Sequence, residues 1–271
     1  MEYRNMPKWK HYEDLKPDEL ELEIIKNPIA YWPLGLIEHH GWHLPIGFDG
    51  IKASEFCKRL ASKNGGLMIP TMWWGGGGGH DVFKWTHYQD LTAVRNMLDT
   101  TSRQLLDYGV KVLILFAGHY PWQNVLDRVT ESLKKDYKDR LILAGTEKSI
   151  CGDDTVFLGD HAAKEETSWG LSLFPKLIDM TSIDAKHDYD AWPPQGPPAK
   201  ENQHPKVNYD PKSPQFAQMG EDARKATAEH GETMVNLLIE KVDPMVKDFL
   251  KREKIKINTP NKIIQGEKDG K

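Results

Sequence analysis

The chain has 271 residues, with 36 Lys and Arg against 40 Asp and Glu and a formal net charge of −4. That length can bury a full core in one large α/β domain, and the mild acidity, with no basic cluster, argues against a nucleic-acid or anionic-membrane partner. Two cysteines without a CxxC spacing, Cys57 and Cys151, indicate neither a disulfide framework nor a thiolate zinc site.

The N-terminus lacks an apolar h-region, and no run of about 18 apolar residues occurs, so the expectation is a cytoplasmic protein that neither follows the usual secretory signal nor spans a membrane. In chain order, residues 13–26 carry Leu15, Leu20, Leu22, Ile24 and Ile25 among acids, which predicts a first helix. Ile29 to Ile37 reads as a buried strand. It delivers a stretch running from Gly35 to Asp49 that holds Glu38, His39, His40, His43 and Asp49, and its Gly and Pro content predicts a loop. Carboxylates and imidazoles this close together suit Zn, Mn or Fe, which activate water near neutral pH. Any of the three histidines is a candidate ligand.

Ile51 to Leu60 repeats apolar residues at helical spacing, with Asn64-Gly65-Gly66 as the stop. Gly66 to Trp73 predicts a second strand, weakened by Pro70. The glycine run from Gly75 to Gly79, ending at His80, departs from a dinucleotide fingerprint and lacks the Lys-Ser or Lys-Thr of a P-loop. Two readings remain, a flexible turn or a backbone that approaches a ligand closely near His80, Trp73 and Trp74.

Leu91 to Tyr108 is the clearest helix and Val110 to Phe116 the clearest strand, apolar as a strand covered on both faces should be. His119 follows it, after a glycine, where α/β sheets gather ligands. Val125 to Tyr137 predicts a helix, and Leu141 to Ala144 a short strand. If His161 begins a helix, Glu165 shares its face and Glu166 points away. Residues 184–214 hold seven prolines and predict a linker or a loop closing the site, with Trp192 and Tyr189 favouring the loop. A long helix is predicted over about 215–240, resuming after Pro244, with a frayed tail over 256–271. The rhythm predicts a three-layer α/β/α fold around a mainly parallel sheet, one domain over 1–271 with its core in 28–240.

These stretches resemble the creatininase family of metal-dependent amidohydrolases. Gly35, Glu38, His40, Gly41, His43, Leu44, Pro45 and Asp49 match its first motif. Ala117-Gly118-His119 corresponds to the second. His161-Ala162-Ala163, Glu166-Thr167-Ser168 and then Leu171, Leu173 and Pro175 follow the third, and Ala226 to Glu232 looks like the closing helix.

The resemblance implies a creatininase-like fold and divalent metal ions, two per subunit. It implies Glu38 on one ion, Asp49 bridging two, and His40 and His119 completing the second. Glu166 would be a ligand or a carboxylate orienting one. His161 would move a proton to the leaving group. Two departures bear on substrate: Pro121 stands where creatininase has a metal-binding Glu, and Lys84, Trp85 and His87 are added beside a pocket expected to include His80 and Tyr120.

The implied reaction is attack of metal-activated water on a carbonyl of a small cyclic amide. Opening of a cyclic keto-polyol, with indoles stacking on the ring, and formamide hydrolysis are alternatives within the family. A non-catalytic metal-binding protein or a nucleotide-binding oxidoreductase would be a different class. A homo-oligomeric ring of subunits, such as a hexamer, is also implied.

Overall fold

The computed structural model describes residues 8–78, 80, 82–152, 155–187 and 190–254. Five strands, β1 (Trp9–His11), β2 (Ile29–Leu34), β3 (Gly66–Met68), β4 (Val112–Ala117) and β5 (Leu141–Gly145), form one sheet in the order β1-β3-β2-β4-β5. Every pairing is parallel. The three-layer α/β/α expectation holds.

β2 and β4 are buried along their whole length and pair over six positions, from Ile29 opposite Val112 to Leu34 opposite Ala117. Alternate residues enter different cores, as the two-residue strand repeat requires. Val112, Ile114 and Phe116 pack with α2 (Phe48–Asn64) and α6 (Ala228–Arg252), whereas Leu113, Leu115 and Ala117 pack with α3 (Leu91–Asp107) and α4 (Gln123–Asp136). The chain leaves β2 through α2 on one face and β4 through α4 on the other. The carboxyl ends of these neighbouring strands therefore flank a topological switch point, where open α/β sheets place ligands.

Several sequence expectations change. The first helix, α1 (Pro17–Lys26), starts later than residue 13 because Pro17 takes its first turn, after a short 3-10 turn over Tyr12–Asp14. The three-residue edge strand β1 was too short to leave a periodicity in the sequence. The predicted 66–73 strand keeps only three residues, with Met72 adding a single bridge to Leu34.

Asp49 is not in a loop. It occupies the first turn of α2, which begins after Pro45 and extends at both ends beyond the predicted 51–60. The final helix begins at Ala228, where Thr227 Oγ1 accepts the His230 N–H, and runs without interruption through Pro244. Residues 215–227 instead form turns, and Met219 makes a two-way backbone bridge with His161. His161 consequently does not begin a helix: α5 (Lys164–Leu173) starts three residues later.

The proline-rich stretch packs as a loop. Trp192 and Tyr209 both stack on the buried ring of Phe83, with centroids 5.4 Å away. Tyr189 and the tail 256–271 lie outside the described residues.

Candidate metal centre

Two glycines make room for the centre. A Cβ on Gly118, just past β4, would collide with the Asp49 carbonyl, and one on Gly35, just past β2, would collide with Gly50. Their absence of side chains lets the start of α2 press against the strand ends. Asp49 then sits between Glu38, from the loop after β2, and His119, from the turn after β4.

The hydrogen-bonding pattern fixes which imidazole nitrogens are free. His119 Nε2 lies 2.9 Å from the Gly77 carbonyl oxygen, which can only accept, so Nε2 carries the hydrogen. Its Nδ1 then faces Glu38 Oε2 at 3.1 Å and Asp49 Oδ2 at 3.3 Å. Both oxygens are buried without a hydrogen-bond partner. Three lone-pair donors thus converge, an arrangement that fits a divalent cation.

His40 repeats the pattern. Its Nδ1 lies 3.1 Å from the Glu38 carbonyl oxygen, which leaves Nε2 facing Asp49 Oδ1 at 3.1 Å and Glu166 Oε2 at 3.6 Å. Carbonyl-anchored imidazoles of this kind are the usual support of metal ligands. Glu38, His40 and Asp49 form one group able to hold an ion. Two others are Glu38 with His80 and His161, and His40 with His161 and Glu166.

Electrostatics couple the same groups. Burial alone would lower the pKa of His40, but the carboxylates of Asp49 and Glu166 outweigh it and hold it at about 9. Burial likewise opposes and Glu38 and Asp49 overcome it at His119, which is raised well above the ordinary histidine value. The carboxyl of Asp49, despite burial, is held well below its ordinary range by His40 and His119. Without a metal these protons balance the carboxylates, so loading an ion must release them.

His39 and His43 are committed elsewhere. His39 Nδ1 accepts the Gly41 N–H, and its ring stacks on Phe83. His43 Nε2 meets Thr167 Oγ1 at 2.8 Å.

A cavity of about 170 Å³ opens over the centre, lined by Glu38, His80, His119, Tyr120, His161 and Glu166 and roofed partly by His204 and Val207 of the proline-rich loop. His161 Nε2 lies 3.0 Å from the His39 carbonyl oxygen, so Nδ1 is the free nitrogen, and its ring stacks on His80 at 3.7 Å. Burial, then the charges of His80 and His40, push its pKa well below the ordinary value.

Glu166 is 2% exposed and turns toward this group, whereas Glu165 pairs with His230 at 2.8 Å. Helical geometry from His161 would have chosen Glu165. It failed because the chain at 161–163 is not helical, with Ala162 at φ 49°.

Lys84 and Trp85 do not line the cavity. Lys84 Nζ donates to the Asp190 carbonyl, and Trp85, at φ 72°, is turned outward and 55% exposed. The glycine run contributes backbone, as one of its two readings proposed: the Gly77 carbonyl anchors His119, and Gly78 lines the cavity.

Sequence reasoning missed Lys52 and Glu147. Lys52 is fully buried, its Nζ 3.3 Å from Glu166 Oε1 and 3.4 Å from Glu147 Oε1. Glu147 also accepts the Tyr120 hydroxyl at 2.5 Å. The available signal was spacing, since position 52 lies on the stripe of Asp49, Ala53, Phe56 and Leu60 that α2 buries.

Comparison with known proteins decides the family. The creatininase family, described as creatinine amidohydrolase, matches residues 13–245. The chain belongs to the creatininase family.

A creatinine amidohydrolase of Pseudomonas putida is 25% identical over 183 residues, 60% of this chain and 70% of that protein. A solved structure named as a manganese creatininase is 21% identical with a TM-score of 0.67, covering 89% of this chain and 98% of that one. Another, named creatinine amidohydrolase (creatininase), is 22% identical with the same TM-score, covering 90% and 97%. A creatininase variant of Zn-Zn type is also 22% identical, with a TM-score of 0.67 and coverage of 88% and 97%. These likenesses establish the fold, and this chain is a hydrolase of the creatininase family. Among the described residues no helix is long and apolar enough to cross a membrane.

Proposed function

We propose that this creatininase-family hydrolase cleaves a small cyclic amide at a divalent-metal centre held by Glu38, Asp49 and His119, with His40 on its far side. The observation that carries this reading is the convergence of Glu38 Oε2, Asp49 Oδ2 and His119 Nδ1, three buried donors whose one shared proton an ion would displace. A bound Zn, Mn or Fe ion would supply a water activated near neutral pH and would polarise the substrate carbonyl. The manganese and zinc creatininases among its structural relatives support that choice of ion.

The chain's own groups do the rest. His161, neutral and anchored through Nε2 to the His39 carbonyl, offers Nδ1 to take a proton and pass it to the leaving nitrogen. His80 stacks on His161 and limits its rotation. Tyr120 forms part of the wall, its hydroxyl directed to Glu147. His204 and Val207 line the cavity from the proline-rich loop.

A keto-polyol is the weaker reading, because no tryptophan is among the residues that line this cavity and the proposed indole stacking has no support. Assembly into a homo-oligomer is part of the same reading: it would cover Trp74 and Trp85, which are 52% and 55% exposed, and sedimentation would test it.

The deciding experiment profiles metal-loaded and chelator-treated protein against cyclic amides, formamides and cyclic keto-polyols. Ring opening of a cyclic amide, lost on chelation and restored by metal, is the expected outcome. Turnover confined to another class, or unaffected by chelation, would overturn the assignment.

A further inference from the structure

Lys52 lies one helical turn after Asp49 on α2 and has no exposed surface. Its ammonium is held by Glu166 Oε1 and Glu147 Oε1 and lies 5.0 Å from the centre of the Tyr120 ring. A buried ammonium is tolerated only where such partners replace its hydration, and removing either side leaves an uncompensated charge. Lys52 and Glu166 are therefore bound to each other's position. The other oxygen of Glu166 accepts the Ala162 N–H at 2.9 Å, so both of its oxygens are engaged.

This engagement makes the two sides of Asp49 unequal. On the His119 side stand three donors, Glu38 Oε2, Asp49 Oδ2 and His119 Nδ1, with the two oxygens lacking any hydrogen-bond partner. On the His40 side stand His40 Nε2 and Asp49 Oδ1, with Glu166 Oε2 and His161 within reach, but Glu166 is tied to Lys52 and to the Ala162 N–H, and residue 121 is a proline with no side-chain donor. A zinc retained there needs at least three ligands, and taking Glu166 as one of them would draw it from Lys52 and leave that buried ammonium short of a partner. Lys52 already supplies a positive charge to Glu166, so a divalent ion added on this side would compete with the ammonium for that carboxylate.

We propose that Lys52 takes the place of a second metal ion, so that this chain holds one divalent ion, on Glu38, Asp49 and His119. Glu166 is then a positioning carboxylate, fixed by Lys52 and facing His40, rather than a ligand. The inference rests on the metal reading above and departs from the two ions that the family resemblance implies.

The test counts ions in the full chain. Protein stripped with EDTA is reloaded with excess Zn²⁺ or, separately, Mn²⁺, gel-filtered, and measured by mass spectrometry of the metal. One ion per chain is expected. Two retained ions would overturn the role of Lys52 and leave the metal centre standing, whereas none would overturn the metal centre and the lysine proposal with it.

Lys52→Met removes the charge at similar length and releases Glu166. In calorimetric titration it is expected to show a second binding phase at least tenfold tighter than any in the parent protein, while Lys52→Arg keeps a single ion. A Lys52→Met protein with unchanged circular dichroism and still one ion would refute the proposal. Should that variant fail to fold, the parent count and Lys52→Arg, for which two ions would be refuting, decide the matter.

Discussion

His119 Nδ1 stands 3.3 Å from Asp49 Oδ2 with no hydrogen available between them in the neutral ring, because Nε2 donates to the Gly77 carbonyl. Such a gap between two acceptors is stable when a cation fills it. Asp49 also faces His40, so its carboxylate touches both imidazoles of the centre. Replacing it should cost more than losing one peripheral contact. Asp49→Ala is expected to weaken Zn²⁺ or Mn²⁺ binding by about 100-fold or more, beyond the roughly 10–100-fold typical of an outer-shell loss. Metal analysis after gel filtration checks this, and a fully loaded Asp49→Ala protein would remove Asp49 from the centre.

His161 should separate binding from turnover. It lines the cavity, and its anchoring Nε2 is committed to the backbone at His39. Loss of a positioned acid-base group typically lowers rate by about 10²–10⁴-fold. His161→Ala is therefore expected to retain metal while kcat falls within that range. Parallel measurement of metal content and single-turnover rate checks it, and equal loss of both would make His161 a structural or ligand residue instead.

Part of the acid sensitivity should arise from His43, alongside His39, whose pKa burial also lowers to about 4. The His43 ring is 2% exposed, Nε2 meets Thr167, and Nδ1 has no hydrogen-bond partner. Burial, then the charge of His40, lowers its pKa from 6.5 to about 4. The unfolded chain takes up a proton near pH 6.5 that the folded chain refuses until about 4. The stability from the neutral folded ring is thus complete above pH 6.5 and is lost as pH falls toward 4, by up to about 3 kcal/mol. Urea midpoints of metal-free protein should fall across that window. His43→Gln, which can still bond Thr167, should lessen the fall, and an unchanged slope would remove His43 from the acid sensitivity.

The parts of this site that were legible in the sequence share one property: they lie in short motifs at strand ends. Glu38 and His119 follow strands whose apolar runs announce themselves, and the switch point between β2 and β4 brings them together. Asp49 was found as a residue but placed in a loop, because Pro45 and Gly47 mask the helix that starts one residue before it. Lys52 and Glu147 were illegible for a different reason. A lysine on a helix and a glutamate in a turn read as solvated charges, and only the burial of α2 against the sheet makes them partners. The roof from residues 184–214 had no periodicity to read, since aromatic stacking on Phe83, rather than backbone repetition, holds it.

Gly118 offers a test of how tightly the fold sets the centre. It lies between the last residue of β4 and His119, where its N–H donates to the Leu34 carbonyl at 2.8 Å. An added Cβ would run into the carbonyl, Cα and carbonyl carbon of Asp49, all backbone that cannot rotate away. The start of α2 would have to move outward, carrying Asp49 from His119 and His40 at once. Interiors resist such overpacking at a cost of about 1–3 kcal/mol, and more where backbone itself must shift. Gly118→Ala is therefore expected to lower stability by about 3 kcal/mol and to weaken metal binding, although it removes no donor atom. Thermal unfolding with and without metal checks both effects: the stabilisation that metal confers on the parent protein should shrink in the variant. Full metal stabilisation in Gly118→Ala would mean that the Asp49–His119 spacing is set by the ion rather than by the packing of α2 on the strand ends.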